Sequence, residues 1–168
     1  MSELTINISR LSEGTHQYSF ETQPEDIGLD AGFHSPVGVQ VVLEKTGRQM
    51  HLKADIRTKA TFTCDRCLDE CEQDLSAHYA IVYLTEENGA HGRNEDEVQY
   101  VSPDAPVLDL GDDVRQFLIL AVPRKILCRE DCQGLCPRCG VNRNKVQCKC
   151  PKEESDPRWE VLKKMSLN

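Results

Sequence analysis

The chain has 168 residues, 39% of them hydrophobic and only 5% aromatic, with a formal net charge of −8. That length accommodates one domain with a modest core. No run of about 18 apolar residues is present, so a transmembrane helix is not expected, and the N-terminal MSELTINISR lacks a basic, apolar leader. The expected compartment is therefore a reducing cytoplasm, and there the nine cysteines point to metal rather than to disulfides.

In chain order, residues 3–10 alternate Leu4, Ile6 and Ile8 with polar neighbours and predict a half-buried strand. Residues 15–22 predict a second, with Tyr18 and Phe20 on one face, and the Pro-, Gly- and Asp-rich 23–36 predict a loop. Residues 37–45 place Val37, Val39, Val41 and Leu43 on one face. Thr46, Gly47 and Arg48 supply a turn, and residues 49–64 continue with Met50, Leu52, Ala54, Ile56, Ala60 and Phe62 in period two. The pattern is a long antiparallel hairpin with one wet face carrying His51, Lys53, Asp55, Arg57, Lys59 and Thr61.

Residues 74–84 predict a further strand, 85–97 an acidic loop, and Val98 to Val101 a short strand. Asp109 to Val122 predicts the main helix, capped by Asp109 or Asp112, with Val114, Phe117, Leu118 and Ala121 as its apolar stripe and Pro123 at its end. From 128 to 150 there is almost no periodicity, and structure there must come from metal. Ser155-Asp156-Pro157 opens a short C-terminal helix whose Trp159, Leu162 and Met165 would dock on the body. The fold class expected is α+β. An antiparallel β-rich body with one main helix (1–123) carries a zinc-binding cysteine arm and a short helix (124–168), the whole forming one structural domain.

Eight cysteines fall into four close pairs: Cys64/Cys67, Cys128/Cys132, Cys136/Cys139 and Cys148/Cys150. Tetrahedral zinc requires four thiolates, and a CxxC turn supplies two because its backbone loops around the ion. Cys136-Pro137-Arg138-Cys139-Gly140 followed by Cys148-Lys149-Cys150 reads as the first site. Cys64, Cys67, Cys128 and Cys132 read as a second that would clamp arm to body. A lone arm site with the other cysteines free is the alternative. Cys71 is left over. A thioredoxin-like redox role is disfavoured because CDRC follows an antiparallel hairpin rather than opening a helix in a βαβ unit.

Charge is uneven. Residues 1–123 hold 9 Lys and Arg against 22 Asp and Glu, a net of −13. Residues 124–152 hold 8 against 2, a net of +6. Arg124, Lys125, Arg129, Arg138, Arg143, Lys145 and Lys149 are thus candidate contacts to RNA phosphate. The other reading of these charges is compensation of thiolate sites, each of which carries a formal charge of about −2 when a divalent ion is bound by four thiolates. His16, His34, His51, His78 and His91 are scattered, and no phosphate loop, dinucleotide fingerprint or HExxH is present. Four-thiolate sites are closed, without an open position for water, so no enzyme is expected.

Residues 127–150, LCREDCQGLCPRCGVNRNKVQCKC, with 156–162, DPRWEVL, and the upstream FTCDRCL at 62–68, resemble the YceD family of large ribosomal RNA subunit accumulation proteins. The order of landmarks is also similar, although Cys71 has no place in that pattern. The resemblance implies a non-enzymatic role in the synthesis, processing or accumulation of 23S ribosomal RNA, without establishing which RNA or protein is touched. The partner expected is ribosomal RNA or a ribosome-assembly or RNA-processing protein. A second reading is a protein-binding adaptor whose acidic body engages a basic partner, and a third is a redox sensor that releases zinc on mild oxidation. Neither a membrane nor a small-molecule substrate is expected as partner.

Overall fold

The computed structural model describes residues 4–30, 32–85, 98–102 and 105–151. The expected acidic loop from residue 86 onward and the expected C-terminal helix lie outside the described residues.

Seven strands and one α-helix are described: β1 (Thr5–Asn7), β2 (Gly14–Thr22), β3 (Val37–Thr46), β4 (Gln49–Thr63), β5 (Glu70–Thr85), β6 (Val98–Val101), β7 (Val107–Asp109) and α1 (Gly111–Ala121). Strands β2 to β6 form a five-stranded sheet in sequence order, and β1 pairs with β7 in a separate two-stranded ribbon. The period-two alternation of β3 and β4 determines their register. Val39 faces Ile56, Val41 faces Ala54 and Leu43 faces Leu52, all of them buried. One residue of slip would move the whole apolar set into water, so burial enforces this pairing. Gly47, at φ 53, makes the tight reversal between the two strands.

One face of the sheet is covered by the β1–β7 ribbon, a 3-10 turn at Pro24–Ile27, and α1. Leu4 and Ile6 from β1, Leu108 from β7, and Val114 and Leu118 from α1 join the sheet's core face in one cluster. Tyr79 of β5 stacks on Phe117 of α1, with ring centroids 4.6 Å apart and planes at 7°. Such a pair adds about 0.5–1.5 kcal/mol beyond its area.

The sequence expectations differ from the structure at several element boundaries and in one strand pairing. β5 begins at Glu70, four residues before the expected strand, because its ladder with β4 runs on to Thr63↔Glu70. β6 pairs with β5 in parallel, so the sheet is mixed rather than purely antiparallel. Residues 107–109 form a strand paired with β1, so Asp109, expected to open the helix, ends β7 instead. Helix α1 therefore starts at Gly111, where the Asp109 carboxylate accepts the Gly111 N–H at 2.9 Å.

β4 and β5 project beyond the core, and the extension decides where the cysteines go. Their far ladder ends at Thr63↔Glu70, and the Cys64–Cys67 turn closes the tip. After Pro123 the chain travels back along this tip: Asp65 donates its N–H to the Ile126 carbonyl (2.8 Å) and its carboxylate accepts the Ile126 N–H (2.6 Å).

Candidate metal centres

Two turns of one design present the first pair of thiols at each centre. In the tip turn, Leu68 N–H donates to the Cys64 carbonyl at 2.9 Å. In the arm turn, Gly140 N–H donates to the Cys136 carbonyl at 2.9 Å. Both reversals place the residue after the second cysteine in the left-handed region, Leu68 at φ 60 and Gly140 at φ 72. The turn aims successive N–H groups at the first sulfur, which is why two residues between the cysteines suit a thiolate pair.

The sulfurs of Cys64, Cys67, Cys128 and Cys132 all lie within 4.8 Å of one another, and those of Cys136, Cys139, Cys148 and Cys150 form a second such group. Sulfur–sulfur distances are 3.9 Å for Cys64–Cys132 and 3.6 Å for Cys67–Cys128. In the second group they are 3.6 Å for Cys139–Cys148 and 3.3 Å for Cys148–Cys136. A tetrahedral ion with metal–sulfur bonds of about 2.3 Å sets its sulfurs about 3.8 Å apart. Both groups thus have the donor set and spacing to hold a metal ion. All nine cysteines are free thiols, and Cys71 belongs to neither group. It sits on β5, half-buried against the cluster of Cys64, Cys67 and Cys132.

Electrostatics within each group point the same way. The N–H groups of Cys128, Cys67 and Arg66 hold the Cys64 thiol down at about 6, against burial. The N–H groups of Cys139 and Arg138, with the Cys148 thiol, hold Cys136 down at about 6. Desolvation among the sulfurs of Cys67, Cys132 and Cys64 pushes Cys128 up to about 12. The Cys139 and Cys148 sulfurs push Cys150 up to about 12. Cys64 and Cys136 thus ionise readily while Cys128 and Cys150 resist, because like charges packed at these distances repel unless a cation joins them.

The two groups differ in exposure. Cys64, Cys67 and Cys132 are buried while Cys128 is exposed. In the arm group only Cys136 is buried.

A shell of side chains around the thiols was not legible as such in the sequence. Asp69, just after the tip turn, accepts the Asn142 amide N–H at 2.8 Å and the Lys145 ammonium at 2.9 Å. The Lys145 hydrogen bond holds the Asp69 carboxyl below its usual range. Arg66 donates to the Cys132 carbonyl at 3.0 Å, and Asn144 donates to the Cys132 sulfur at 3.3 Å. The only signal for these residues was their position between metal-spaced cysteines.

All seven basic residues nominated from the sequence, Arg124, Lys125, Arg129, Arg138, Arg143, Lys145 and Lys149, are exposed. Two of them are engaged within the protein. Arg129 pairs with Asp131 at 3.3 Å and donates to Asn144 at 2.8 Å, and Lys145 pairs with Asp69. Arg138 and Arg143 line a cavity of about 420 Å³ beside the arm group, with Gln133, Gln147 and Val146. The scattered histidines converge nowhere among the described residues. His16 and His34 bond to nearby carbonyls, and His51 and His78 sit at different registers of the exposed sheet face. His91 lies outside the described residues. No helix among the described residues is long and apolar enough to cross a membrane.

A family model described as large ribosomal RNA subunit accumulation protein YceD matches residues 52–166, a span that includes both cysteine groups. The chain belongs to the YceD family. A protein of Arabidopsis thaliana named large ribosomal RNA subunit accumulation protein YCED homolog 1, chloroplastic, is 24% identical over 154 residues, covering 76% of this chain and 48% of its own length. The protein of the same name from Zea mays is 23% identical, covering 74% of this chain and 55% of its own. The chain thus spans about half the length of these two YceD relatives. A Mycobacterium tuberculosis protein described only as uncharacterized is 30% identical over 181 residues, covering 98% of this chain and 82% of its own. No solved structure matches.

Proposed function

We propose that this protein is a non-enzymatic, zinc-stabilised accessory factor in the accumulation of large-subunit ribosomal RNA, and that it meets 23S RNA through its cysteine arm. The observation that carries the reading is the gathering of eight cysteine sulfurs into two four-thiol groups within a chain of the YceD family. All-sulfur tetrahedral sets suit zinc, a d¹⁰ ion without geometric preference of its own. Bound zinc would supply the arm with the cohesion that its short apolar inventory does not. With four protein ligands per ion no position is open for water, which supports a structural role rather than catalysis.

The RNA reading rests on charge as well as on the family. Arg124, Lys125, Arg138, Arg143 and Lys149 are exposed and, among the described residues, in no ion pair. They lie on an arm of net +6 beside a body of net −13. The body would be repelled by RNA and would leave the arm as the docking element. The arm's division from the body near residue 123 is part of this proposal, as is a cytoplasmic site of action.

Zinc content per chain and binding to 23S RNA fragments at increasing salt test the proposal. Two equivalents of zinc are expected, with affinity falling steeply as salt rises. Charge reversal of Arg138, Arg143 and Lys149 together should abolish binding. Unchanged RNA binding in that triple variant would remove the arm as the contact. It would then favour the adaptor reading, in which the acidic body engages a basic protein of ribosome assembly.

A further inference from the structure

The segment between Cys139 and Cys148 belongs by sequence to the arm group, yet its side chains serve the tip group. Asn144 is the centre of this exchange. Its Oδ1 accepts the Gln133 backbone N–H at 2.8 Å and the Arg129 guanidinium at 2.8 Å. Two donors on that oxygen fix the orientation of the amide, so its nitrogen points the other way. There it donates to the Cys132 sulfur at 3.3 Å and to Asn142 Oδ1 at 2.9 Å. Asn142 is fixed by the same logic. Its Oδ1 receives the Asn144 backbone and side-chain N–H groups, and its nitrogen reaches Asp69 at 2.8 Å. Lys145 adds the second bond to Asp69.

The two groups therefore share one loop. Residues 142–145 touch the tip group's Cys132 sulfur and the carboxylate beside its Cys64–Cys67 turn. The same residues are bounded on both sides by arm-group sulfurs, Cys139 and Cys148, which are 3.6 Å apart. We propose that Asn144 makes metal loading of the two centres cooperative: it positions the Cys132 sulfur of the tip centre, and it is itself held in place by closure of the arm centre. This rests on the reading that both groups hold metal.

The physical basis is ordering. Donors to metal-bound sulfur stabilise its charge and fix its direction, and losing such a partner typically weakens metal affinity about 10–100-fold. The tip centre joins cysteines 68 residues apart, whereas Cys136 and Cys148 are 12 apart. The arm centre closes the shorter loop at lower entropic cost. Its closure fixes the segment that carries Asn144, and the tip centre then loads onto a site whose outer donors are already in place.

The test uses the full chain, with cobalt(II) and zinc as the metals and a chromophoric chelator as competitor. Thiolate-to-cobalt absorption reports occupancy. Affinity of the tip centre is compared in the parent chain, in Asn144→Ala, in a variant without the arm centre (Cys148→Ser with Cys150→Ser), and in the combination. Each change alone is expected to lower tip-centre affinity about 10–100-fold, and the combination no more than either, since both remove the same contact. In native mass spectra, a one-metal species scarce in the parent should accumulate in Asn144→Ala. Amide protection in β3 and β4 serves as the check on folding. Asn144→Asp, which keeps both acceptor bonds and loses the donors to the Cys132 sulfur and to Asn142 Oδ1, should reproduce the loss if Asn144→Ala disorders the arm. Two metals bound with fully additive losses, or tip-centre affinity indifferent to the arm centre, overturns the coupling while leaving the metal reading intact. A parent chain that binds no metal overturns both.

Discussion

Leu68 and Gly140 occupy the same place in two copies of one turn. Each follows the second cysteine of a CxxC, each donates its N–H to the carbonyl of the first cysteine at 2.9 Å, and each has positive φ, 60° and 72°. Glycine adopts that conformation freely, whereas a residue with a Cβ is strained by about 1–2 kcal/mol. Leucine is the less natural occupant, and its side chain is 63% exposed, so burial does little to offset the strain.

Leu68→Gly should therefore stabilise the protein. The relief of about 1–2 kcal/mol is partly cancelled by the greater freedom of glycine in the unfolded chain, leaving a net gain of roughly 0.5–1 kcal/mol. Denaturant unfolding of the metal-loaded protein measures it. A loss of stability would mean that contacts of the Leu68 side chain within the protein outweigh its backbone strain.

The other left-handed glycines of the arm are not equivalent. A Cβ at Gly140 would meet nothing within 4 Å, whereas one at Gly134 would lie 3.0 Å from the Arg66 carbonyl oxygen. That carbonyl also accepts the Leu135 N–H at 2.9 Å, so the arm is seated on the tip at this point. Gly140→Ala should cost about 1 kcal/mol from backbone strain alone. Gly134→Ala should cost clearly more and should loosen the arm as well. Equal losses in the two variants would show that the close approach at Gly134 carries no weight.

How far the sequence went follows from what kind of signal each part left. The hairpin of Val37–Thr46 and Gln49–Thr63 was readable because strict alternation permits one register only. The four cysteine pairs were readable because close spacing, one to three residues between partners, is a local geometric demand. The parallel pairing of Val98–Val101 on β5 was not readable, since a four-residue strand carries no mark of direction. Nor was the early start of β5, where Glu70 to Gln73 look polar because they extend the hairpin past the core toward the cysteine turn. The bonds of Asn142, Asn144 and Lys145 to Cys132 and Asp69 span up to 76 residues and rest on the fold alone.

The start of α1 carries a pH signature. Asp113 is half-buried, and burial holds its carboxyl above its usual value, with the charges of Asp112 and Asp109 pushing the same way. Gln99 donates to it at 3.3 Å, and that bond together with the Tyr83 hydroxyl offsets part of the rise. The folded state thus binds this proton more tightly than the unfolded state. The contribution favours folding at acid pH and is lost as pH rises from the unfolded carboxylate value of about 3.9 through the raised folded one. Asp113→Asn keeps an acceptor for Gln99 and removes the titration. Its stability relative to the parent should rise across that window and level off above it. A parallel pair of stability-versus-pH curves would sink the idea.

Behind α1, Tyr79 is 5% exposed and its hydroxyl has no hydrogen-bond partner among the described residues. Burial drives its ionisation far above the ordinary tyrosine range, so the group stays neutral and unpaired. An unpaired buried hydroxyl costs about 1–3 kcal/mol. Tyr79→Phe removes it while preserving the stack on Phe117, and should raise stability by roughly 1 kcal/mol after allowing for a small void. Thermal unfolding measures the gain. A decrease would reveal an ordered water bonded to the hydroxyl.

Metal removal should divide the molecule in two. The main core draws on the sheet, the β1–β7 ribbon and α1 and includes no cysteine, whereas Cys64, Cys67 and Cys132 form a small cluster of their own. The arm's backbone bonds, such as Cys136 N–H to Val141 and Arg143 N–H to Gly134, both 2.9 Å, belong to turns with few apolar partners. Without a cation the crowded thiols must protonate or separate, and the turns lose the link that closes them. A strong chelator should therefore abolish hydrogen-exchange protection at Leu135, Cys136 and Arg143 while Val41 and Leu52 stay protected. Loss of protection in β3 and β4 as well would show that the metal centres support the whole fold. An arm still protected after complete metal removal would show that its own hydrogen bonds suffice, and zinc would then need another purpose.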